Sequence, residues 1–510
     1  MRILFAALHN GYYRNIESVV DALAARGHDI FLAAERPDSA LGGQSIVERL
    51  GAKYRNVAYG EAPHREQKTR FLASKVRLTL DFLRYLEPEY AGTPALHRRA
   101  SVRTPSGFVW LADHGLLASR ASRRMLARAL HAIDRTISPS PDIERFLDRQ
   151  RPDAVVITPL VGLVPSSQLD LLRSAQARRV PTAVCVWSWD HLSSKAIIRD
   201  IPDRLFVWND VQRTEAIEMH RVPADRVVVT GAHSFDRWFD QQPSRNRVDF
   251  CRRVGLPDDR PFVLWVCSAL FPGSPSEAQF VLKWAAALRA SSDERLRNAA
   301  ILVRPHPSRK RDWDDVEWRG IPNVTMWGDN PIDAESRADY FDSLCYSAAV
   351  AGLNTSAFIE AGVVGRPVLA ILPDEFRSNQ EGTLHFHYLV DGGLLTVSRS
   401  LDEHASQLSA VLRGDDADVL ARVGQFVRSF VRPLGLDVRA TDVMADAVED
   451  LARMAPAGAA EQSSASGRLG LAALRMLERV PLGRRLLLNE REVEGKRRRA
   501  EIEGREVSWL

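Results

Sequence analysis

Short apolar runs alternate with amphipathic segments from the first residues of the chain. Residues 3–8 form a continuous apolar run, residues 16–26 place apolar side chains at helical spacing, and residues 29–33 form a second strand-like run. Continuous runs of this length are typical of strands that are buried on both faces. A strand followed by a helix and another strand is the repeating unit of a parallel α/β sheet. The pattern predicts that the chain begins with one such unit.

The same pattern continues in two series. Strand-like runs of the first series resume at residues 152–158, 182–187, 204–208 and 226–230. Those of the second series lie at residues 261–267, 300–304, 323–326, 350–352 and 368–372, and helices at about 401–412 and 419–453 follow them. A polar stretch at residues 241–246 lies between the two series. The sequence therefore predicts two α/β domains, residues 1–240 and residues 241–455.

Two segments depart from this pattern. Residues 61–150 are helical in pattern and rich in arginine, which is consistent with a solvated helical cover on the first domain or with a surface around an acceptor. Residues 456–510 begin as an Ala/Gly/Ser/Gln linker and continue as a tail, residues 468–500, in which leucine and arginine are interleaved. Such a tail can lie on an anionic membrane surface, and it can equally pack on the protein or on a partner.

Composition and charge exclude several classes of protein. The 510 residues carry a net charge of only +4, which does not favour a nucleic-acid partner. The four cysteines have no C-x-x-C spacing, so neither a disulfide framework nor a zinc site is predicted. The chain has no apolar run of the roughly 18 residues that a transmembrane helix requires. The run at residues 3–8 stops at His9 without a small-residue cleavage site. We therefore expect a cytoplasmic protein.

A candidate anion site follows the run at residues 350–352. Asn354 is a good helix N-cap, so Thr355 and Ser356 would offer backbone N–H groups and hydroxyls where a helix dipole favours an anion. Glu360 lies one helical turn beyond Ser356 on the same face. A phosphate at the hydroxyls and a ribose at the carboxylate would suit a nucleotide. A capped crossover helix with one exposed glutamate gives the same pattern.

A second candidate is the segment Val303-Arg304-Pro305-His306-Pro307, at the end of a strand-like run. Two prolines fix the turn and hold a guanidinium beside an imidazole. Arg304 can bind a phosphate with two N–H groups, and His306 can donate to one. A rigid turn with a structural histidine is the alternative.

Together these motifs resemble the second domain of GT-B glycosyltransferases. The likeness is greatest to the capsule and teichoic-acid group, which includes the CDP-glycerol glycerophosphotransferases, and it rests on Arg-Pro-His-Pro, Thr355-Ser356, Glu360-Ala361 and the segment 365–368. The resemblance implies the GT-B fold, with two Rossmann-like parallel-sheet domains facing a cleft. It also implies that Arg304, His306, Thr355 and Ser356 contact the donor phosphates and that Glu360 faces the ribose.

Other polar residues follow strand ends in both domains. Gln380, Thr383 and His385 can reach the sugar or phosphate, or they can order their loop. In the first domain Asp190 and His191, in the segment Trp187-Ser188-Trp189-Asp190-His191, are candidate bases toward an acceptor hydroxyl, and His9 competes with them. Asp312-Trp313-Asp314 is predicted to be solvated surface, because it lies in a charged loop just past the proline turn. The resemblance to GT-B enzymes also implies that no metal is required to stabilise the leaving diphosphate.

These observations favour a transferase that moves a sugar or polyol phosphate from a UDP-, CDP- or GDP-linked donor to a glycan or lipid-linked acceptor. We expect no cofactor besides this substrate, and a place in bacterial surface-glycan assembly at the inner face of the cytoplasmic membrane. A UDP-sugar 2-epimerase shares the fold, but its Gly-Thr-Arg-Pro-Glu signature is replaced by Leu8-His9-Asn10-Gly11. A non-catalytic nucleotide-binding scaffold is the third alternative.

Overall fold

Parallel strands form two separate sheets. The computed structural model describes residues 1–36, 43–195, 197–318, 321–455 and 464–502, so the predicted linker at 456–463 lies outside the described residues. The strands of the first sheet are β1 (Arg2–His9), β2 (Asp29–Arg36), β3 (Val57–Glu61), β4 (Ala154–Ile157), β5 (Thr182–Cys185), β6 (Arg204–Val207) and β7 (Val227–Val229). They lie in the order β3-β2-β1-β4-β5-β6-β7, and every neighbouring pair is parallel.

The second sheet is also parallel. Its strands are β8 (Phe262–Val266), β9 (Ala300–Arg304), β10 (Val324–Met326), β11 (Ala349–Gly352), β12 (Val368–Ile371) and β13 (Leu395–Ser398). They lie in the order β10-β9-β8-β11-β12-β13. The strand order reverses between β1 and β4 in the first sheet and between β8 and β11 in the second. Open α/β sheets bind ligands outside the carboxyl ends of the strands at such a point.

Helices flank both sheets. Those in the first part of the chain are α1 (Glu17–Ala25), α2 (Gln44–Lys53), α3 (Gln67–Arg84), α4 (Pro94–Ser101), α5 (Ser106–Asp113), α6 (Arg120–Thr136), α7 (Pro141–Gln150), α8 (Gln168–Ala177) and α9 (Asp210–Glu218). The second part contains α10 (Asp236–Asp240), α11 (Arg247–Val254), α12 (Glu277–Ala290), α13 (Glu294–Asn298), α14 (Ala334–Tyr346), α15 (Ala357–Val363), α16 (Leu384–Asp391), α17 (Leu401–Arg413) and α18 (Ala417–Phe426). The chain ends with α19 (Ala440–Arg453), α20 (Ala465–Arg479), α21 (Pro481–Leu487) and α22 (Glu490–Ile502).

The chain divides into two compact units. The first unit comprises Met1–Thr230 and Thr441–Leu510, and the second comprises Gly231–Ala440. In the first sheet, side chains alternate between two cores, with Ile3 and Phe5 on one face and Leu4 and Ala6 on the other. Both faces are buried, which explains why these strands read as continuous apolar runs.

Most predicted elements are confirmed, and one helix is not. The helical character predicted for residues 61–150 is present as α3 to α7. The single helix predicted at 419–453 is wrong, because α18 and α19 are separate elements. Pro433 between them lacks a backbone N–H, and Gly435 has a φ of +125°, so the chain cannot continue as a helix there.

Candidate functional site

The carboxyl ends of β8 and β11 pack closely against each other in the second unit. A Cβ atom on Gly352 would lie 2.6 Å from the carbonyl oxygen of Val266, so only glycine allows this approach. Just beyond the strand ends, the backbone N–H of Asn354 donates to the Ser268 hydroxyl over 3.1 Å. These contacts fix the two loops that follow the reversal in strand order.

Arg304 ends β9 at the same edge. Its side chain is buried, and its guanidinium lies 4.6 Å from the centre of the Tyr340 ring. Nη2 donates to the carbonyl oxygen of Asp329 over 3.2 Å, whereas the buried Nη1 has no hydrogen-bond partner among the described residues. Burial lowers the pKa of Arg304, an effect that Tyr340 and nearby carboxylates oppose. A buried cation with an unused donor at this edge is suited to an anionic ligand.

Tyr340 on α14 connects Arg304 to Glu360. Its hydroxyl donates to Glu360 Oε2, while the Arg304 guanidinium lies over its ring in a cation–π contact. The structure therefore brings together Arg304 and Glu360, which are 56 residues apart in the chain. No sequence motif indicated Tyr340, because it lies on a helix between the two motifs and belongs to neither.

His306 presents a nitrogen donor in this region. The backbone N–H of Ser308 donates to His306 Nδ1 over 3.3 Å. A neutral imidazole that accepts at Nδ1 carries its proton at Nε2, and that N–H can donate to a phosphate oxygen. The histidine is half-buried.

The prediction that Asn354 caps a helix is wrong. The N-cap of α15 is Ser356, and no side chain caps that helix through a strong hydrogen bond. Asn354 Nδ2 instead donates to the carbonyl oxygen of Asn379. The Thr355 hydroxyl accepts weakly from the backbone N–H of Ala357, at 3.4 Å. Since α15 has only seven residues, side chains rather than a long helix dipole provide the polar character here.

The loop after β12 is held by its own polar side chains. Gln380 is 1% exposed, and its Nε2 donates to the carbonyl oxygens of Leu353 and Ile371 over 2.9 and 2.6 Å. The Thr383 hydroxyl donates to the Gln380 carbonyl oxygen over 2.8 Å, and His385 is buried in the first turn of α16. These contacts favour the loop-ordering alternative for Gln380 and Thr383.

A buried carboxyl group that the sequence reading missed lies behind the β8 loop. Glu277 Oε2 accepts from the backbone N–H of Ser268 over 2.8 Å, and its Oε1 accepts from Trp265 Nε1 over 3.2 Å. Burial raises the pKa of Glu277 to about 7, although these hydrogen bonds oppose the shift. Glu277 is therefore a buried carboxyl group whose hydrogen bonds hold the start of this loop against Trp265.

In the first unit, aromatic and charged side chains form a chain of contacts beyond β1 and β5. The rings of His9 and Tyr12 stack at 4.1 Å, and Tyr12 meets Trp187 edge-on at 4.9 Å. Lys195 Nζ lies 4.7 Å from the Trp187 ring centre and 2.8 Å from Asp190 Oδ1. The structure thus places His9 and Asp190, two of the three predicted bases, in one group at the carboxyl edge of the first sheet.

His9 is uncharged at neutral pH. Burial, together with the positive charges of Arg14 and Arg36, lowers its pKa to about 4. Its buried Nδ1 has no hydrogen-bond partner in the described part of the chain. An anionic ligand close to the two arginines would offset their charge and raise the basicity of the imidazole.

His191 lies in the protein interior. It is 1% exposed, and its Nε2 lies 2.8 Å from the carbonyl oxygen of Leu160. Burial lowers its pKa to about 4. These features favour a structural role over contact with an acceptor.

A cavity of about 450 Å³ lies beside the same edge of the first sheet. Arg36 at the end of β2, the loop Leu163–Pro165 after β4, and side chains of α22 line it. Its charged lining is mostly cationic and comprises Arg36, Arg103, Arg491, Lys496 and Glu492. Burial lowers the pKa of Arg103 to about 10, and Arg491 and Arg99 contribute to the same shift. The cavity is therefore suited to an anionic group.

The described residues contain no cluster of three or more His, Cys, Asp or Glu side chains placed to hold a metal ion. Asp312 forms an ion pair with Arg309 at 2.7 Å.

Within the same described ranges, no helix combines the length and the apolar character that crossing a bilayer demands.

Solved structures with two parallel-sheet domains align with most of the chain. The UDP-GlcNAc 2-epimerase from Neisseria meningitidis bound to UDP-GlcNAc aligns over 88% of this chain and 100% of its own, with a TM-score of 0.50 and 10% identity. A putative UDP-N-acetylglucosamine 2-epimerase from Listeria monocytogenes aligns over 88% and 96%, with a TM-score of 0.52 and 11% identity. This is the GT-B fold.

Other GT-B structures align at lower scores. A glycosyltransferase from Rickettsia africae covers 89% of this chain with 98% of its own, at a TM-score of 0.49 and 10% identity. No protein-family model matches the sequence, and no curated protein matches it. At these identities the alignments show the fold alone. The chemistry of this GT-B protein depends on its own residues.

Proposed function

We propose that this protein is a transferase that moves a sugar or a polyol phosphate from a nucleotide-activated donor to an acceptor. The cluster of Arg304, Tyr340 and Glu360 carries this proposal, because it places a buried cation with an unused donor beside a carboxylate at the carboxyl edge of a parallel sheet. The expected surroundings of a nucleoside diphosphate are of this kind: a cation for phosphate and a carboxylate for ribose.

The second unit binds the donor in this proposal. Arg304 Nη1 and the Nε2–H of His306 donate to the diphosphate and stabilise the charge that develops as it leaves. Glu360, whose carboxylate is positioned by the Tyr340 hydroxyl, accepts from a ribose hydroxyl. Thr355 and Ser356 add hydroxyl groups at the start of α15.

The first unit supplies the base and the acceptor contacts. In sugar transfer the bond between the sugar and the diphosphate breaks and the nucleoside diphosphate leaves; in polyol-phosphate transfer the bond between the two phosphates breaks and the nucleoside monophosphate leaves. In both cases the acceptor oxygen forms the new bond and its proton passes to His9 or Asp190. The cationic cavity is lined by Arg36, which is paired with His9 in the strand register, and it favours an acceptor that carries a phosphate or another anionic group. Such an acceptor would suit the assembly of bacterial surface glycans at the cytoplasmic side of the membrane.

Calorimetric titration of the full-length protein with UDP, CDP and GDP tests the donor site. We expect one nucleotide to bind, and we expect Glu360→Ala and His306→Ala each to weaken it by about tenfold, because each loses a charge-assisted hydrogen bond. Glu294→Ala is the matched control, since Glu294 is exposed on α13. Failure of all three nucleotides to bind, or unchanged affinity in both site variants, contradicts the proposal.

A 2-epimerase is the second candidate, because the two aligned structures with TM-scores of 0.50 and 0.52 carry epimerase names. Incubation of the protein with a nucleotide-sugar panel separates the candidates. A transferase releases nucleotide only when acceptor is added, and we expect this result. Either His9→Gln or Asp190→Asn should lower the rate of nucleotide release by about 100-fold or more, because the variant lacks the general base. Conversion of a UDP-sugar without acceptor identifies an epimerase, and nucleotide binding without turnover identifies a scaffold.

A further inference from the structure

Exposed apolar side chains are concentrated on one group of helices in the first unit. Of the fifteen exposed large apolar side chains in the described chain, nine lie on or beside α5, α6, α20 and α21. They are Trp110, Leu116, Met125, Leu469, Met476, Leu477, Val480, Leu482 and Leu486, which we call the apolar face. Such a concentration marks an interaction surface, whereas single exposed apolar residues do not.

The four helices are packed together, so the apolar face belongs to one body. Gly467 on α20 lies so close to α6 that a Cβ atom would be 2.2 Å from the carbonyl oxygen of Ala132. The backbone N–H of Ser106 donates to the carbonyl oxygen of Leu488 over 2.9 Å, which joins α5 to the end of α21. The C-terminal tail is thus fixed to the helical insertion of the first unit.

Helix α20 has apolar residues on two opposite faces. Leu471 and Leu474 pack in the core cluster of α3 and α6. Leu469 and Met476 are seven residues apart and point away from that core, with exposed fractions of 74% and 69%. The inner face accounts for the packing of the helix, so the outer face has no role in the fold of the unit.

Exposed arginines lie on the same helices as the apolar face. Five exposed arginines lie on α20 and α21, against a single glutamate, Glu478. They are Arg468, Arg475, Arg479, Arg484 and Arg485, and α6 adds the exposed Arg120, Arg124 and Arg128. Arginine keeps its charged end at a polar boundary while its stem covers apolar surface. Interleaved leucine and arginine on exposed helices match the headgroup and acyl-chain layers of an anionic bilayer.

The same charges argue against a second copy of the chain as the occupant. A twofold interface would bring the same patch of each copy together and place arginines against arginines. The lengths of the helices also suit a position in the membrane interface, since α20 has 15 residues and α21 has seven, fewer than the roughly 20 of a spanning helix.

We propose that the apolar face binds an anionic lipid bilayer, with its leucine and methionine side chains below the headgroups and the exposed arginines of the same helices at the phosphates. The bilayer is therefore bound by the tail and the helical insertion together. Trp110 on α5 is 53% exposed, and its position suits the interfacial depth that tryptophan prefers.

Liposome flotation of the full-length protein tests this proposal. We expect the protein to float with vesicles of phosphatidylcholine and phosphatidylglycerol in equal amounts, and at least about tenfold less with phosphatidylcholine alone. The double substitution Leu469→Glu with Met476→Glu should abolish flotation, because it places charge in the apolar layer. The double substitution Arg475→Glu with Arg479→Glu should reduce flotation to the level of neutral vesicles.

Leu434→Glu is the matched control, because Leu434 is an exposed leucine of the second unit, and its flotation should equal that of the wild type. The substituted side chains are exposed, so circular dichroism should show unchanged folding. Absence of flotation in the wild type overturns the proposal, as does flotation that Leu469→Glu with Met476→Glu leaves unchanged. If the wild type binds no vesicles and Leu469→Glu with Met476→Glu changes the oligomeric state, the apolar face binds a second copy of the chain instead. No nucleotide is used, so neither result depends on the proposed function.

Discussion

At the scale of single residues, the proposed donor site depends on how Arg304 is held. Gly328 has a φ of +122°, and a Cβ atom on it would lie 2.6 Å from the Arg304 guanidinium. This glycine leaves the space in which Arg304 lies between the Asp329 carbonyl and the Tyr340 ring. The position of the cation is therefore set by a glycine and a tyrosine that lie outside the Arg-Pro-His-Pro motif.

A second single-residue effect concerns Glu277 and pH. Its pKa is raised to about 7 by burial, from an ordinary value of 4.5. Between these two pH values the folded state holds a proton that the unfolded chain has lost, so this group makes the protein less stable as the pH rises. The loss amounts to about 3 kcal/mol at most.

We expect Glu277→Gln to remove this dependence, because an amide does not ionise. The measurement is the free energy of unfolding from urea titrations at pH 4.5 and pH 7, the limits that the two pKa values set. The wild type should lose more stability across this interval than Glu277→Gln. Glu294→Gln, at an exposed glutamate, should behave as the wild type does. If the free energy of unfolding changes equally between pH 4.5 and pH 7 in the wild type and in Glu277→Gln, this result would falsify the assignment of the pH dependence to Glu277.

At the scale of elements, α22 is held to the first unit by a buried lysine. Lys75 on α3 is 2% exposed and pairs with Glu492, whose carboxylate also accepts from the backbone N–H of Asn489 over 3.0 Å. Burial lowers the pKa of Lys75, and Glu492 opposes that shift. The ion pair therefore allows the ammonium group to remain charged in the interior, and it positions the helix that lines the cationic cavity.

Two neighbouring glutamates on α22 provide a matched comparison. Glu492→Ala should lower the free energy of unfolding by about 2 kcal/mol, less than for a fully buried pair because Glu492 is one-third exposed. Glu490→Ala should cost under about 0.5 kcal/mol, because its pair with Arg98 is exposed on both sides. Chemical denaturation measures both values. Equal losses in the two variants would show that Lys75 does not depend on Glu492.

At the scale of the whole molecule, the path of the chain joins distant segments. Met444, Ala445, Val448 and Leu451 of α19 lie in the core of the first unit, against side chains of β1 and β2. The chain therefore leaves the first unit after Thr230 and returns to it at Thr441. The insertion and the tail, which lie more than 300 residues apart, also meet in this unit.

The sequence by itself determined the parallel sheets, since strands covered on both faces need continuous apolar runs. It also located Arg304 and His306 at the end of one strand and Glu360 on the helix that follows another. Tertiary structure alone decided which groups meet there. Tyr340 joins Arg304 to Glu360, the Asn354 amide reaches Asn379 rather than a helix end, and His191 lies in the interior. The physical reason is that apolar periodicity reports local burial, whereas each of these contacts joins residues whose separation along the chain leaves no local pattern.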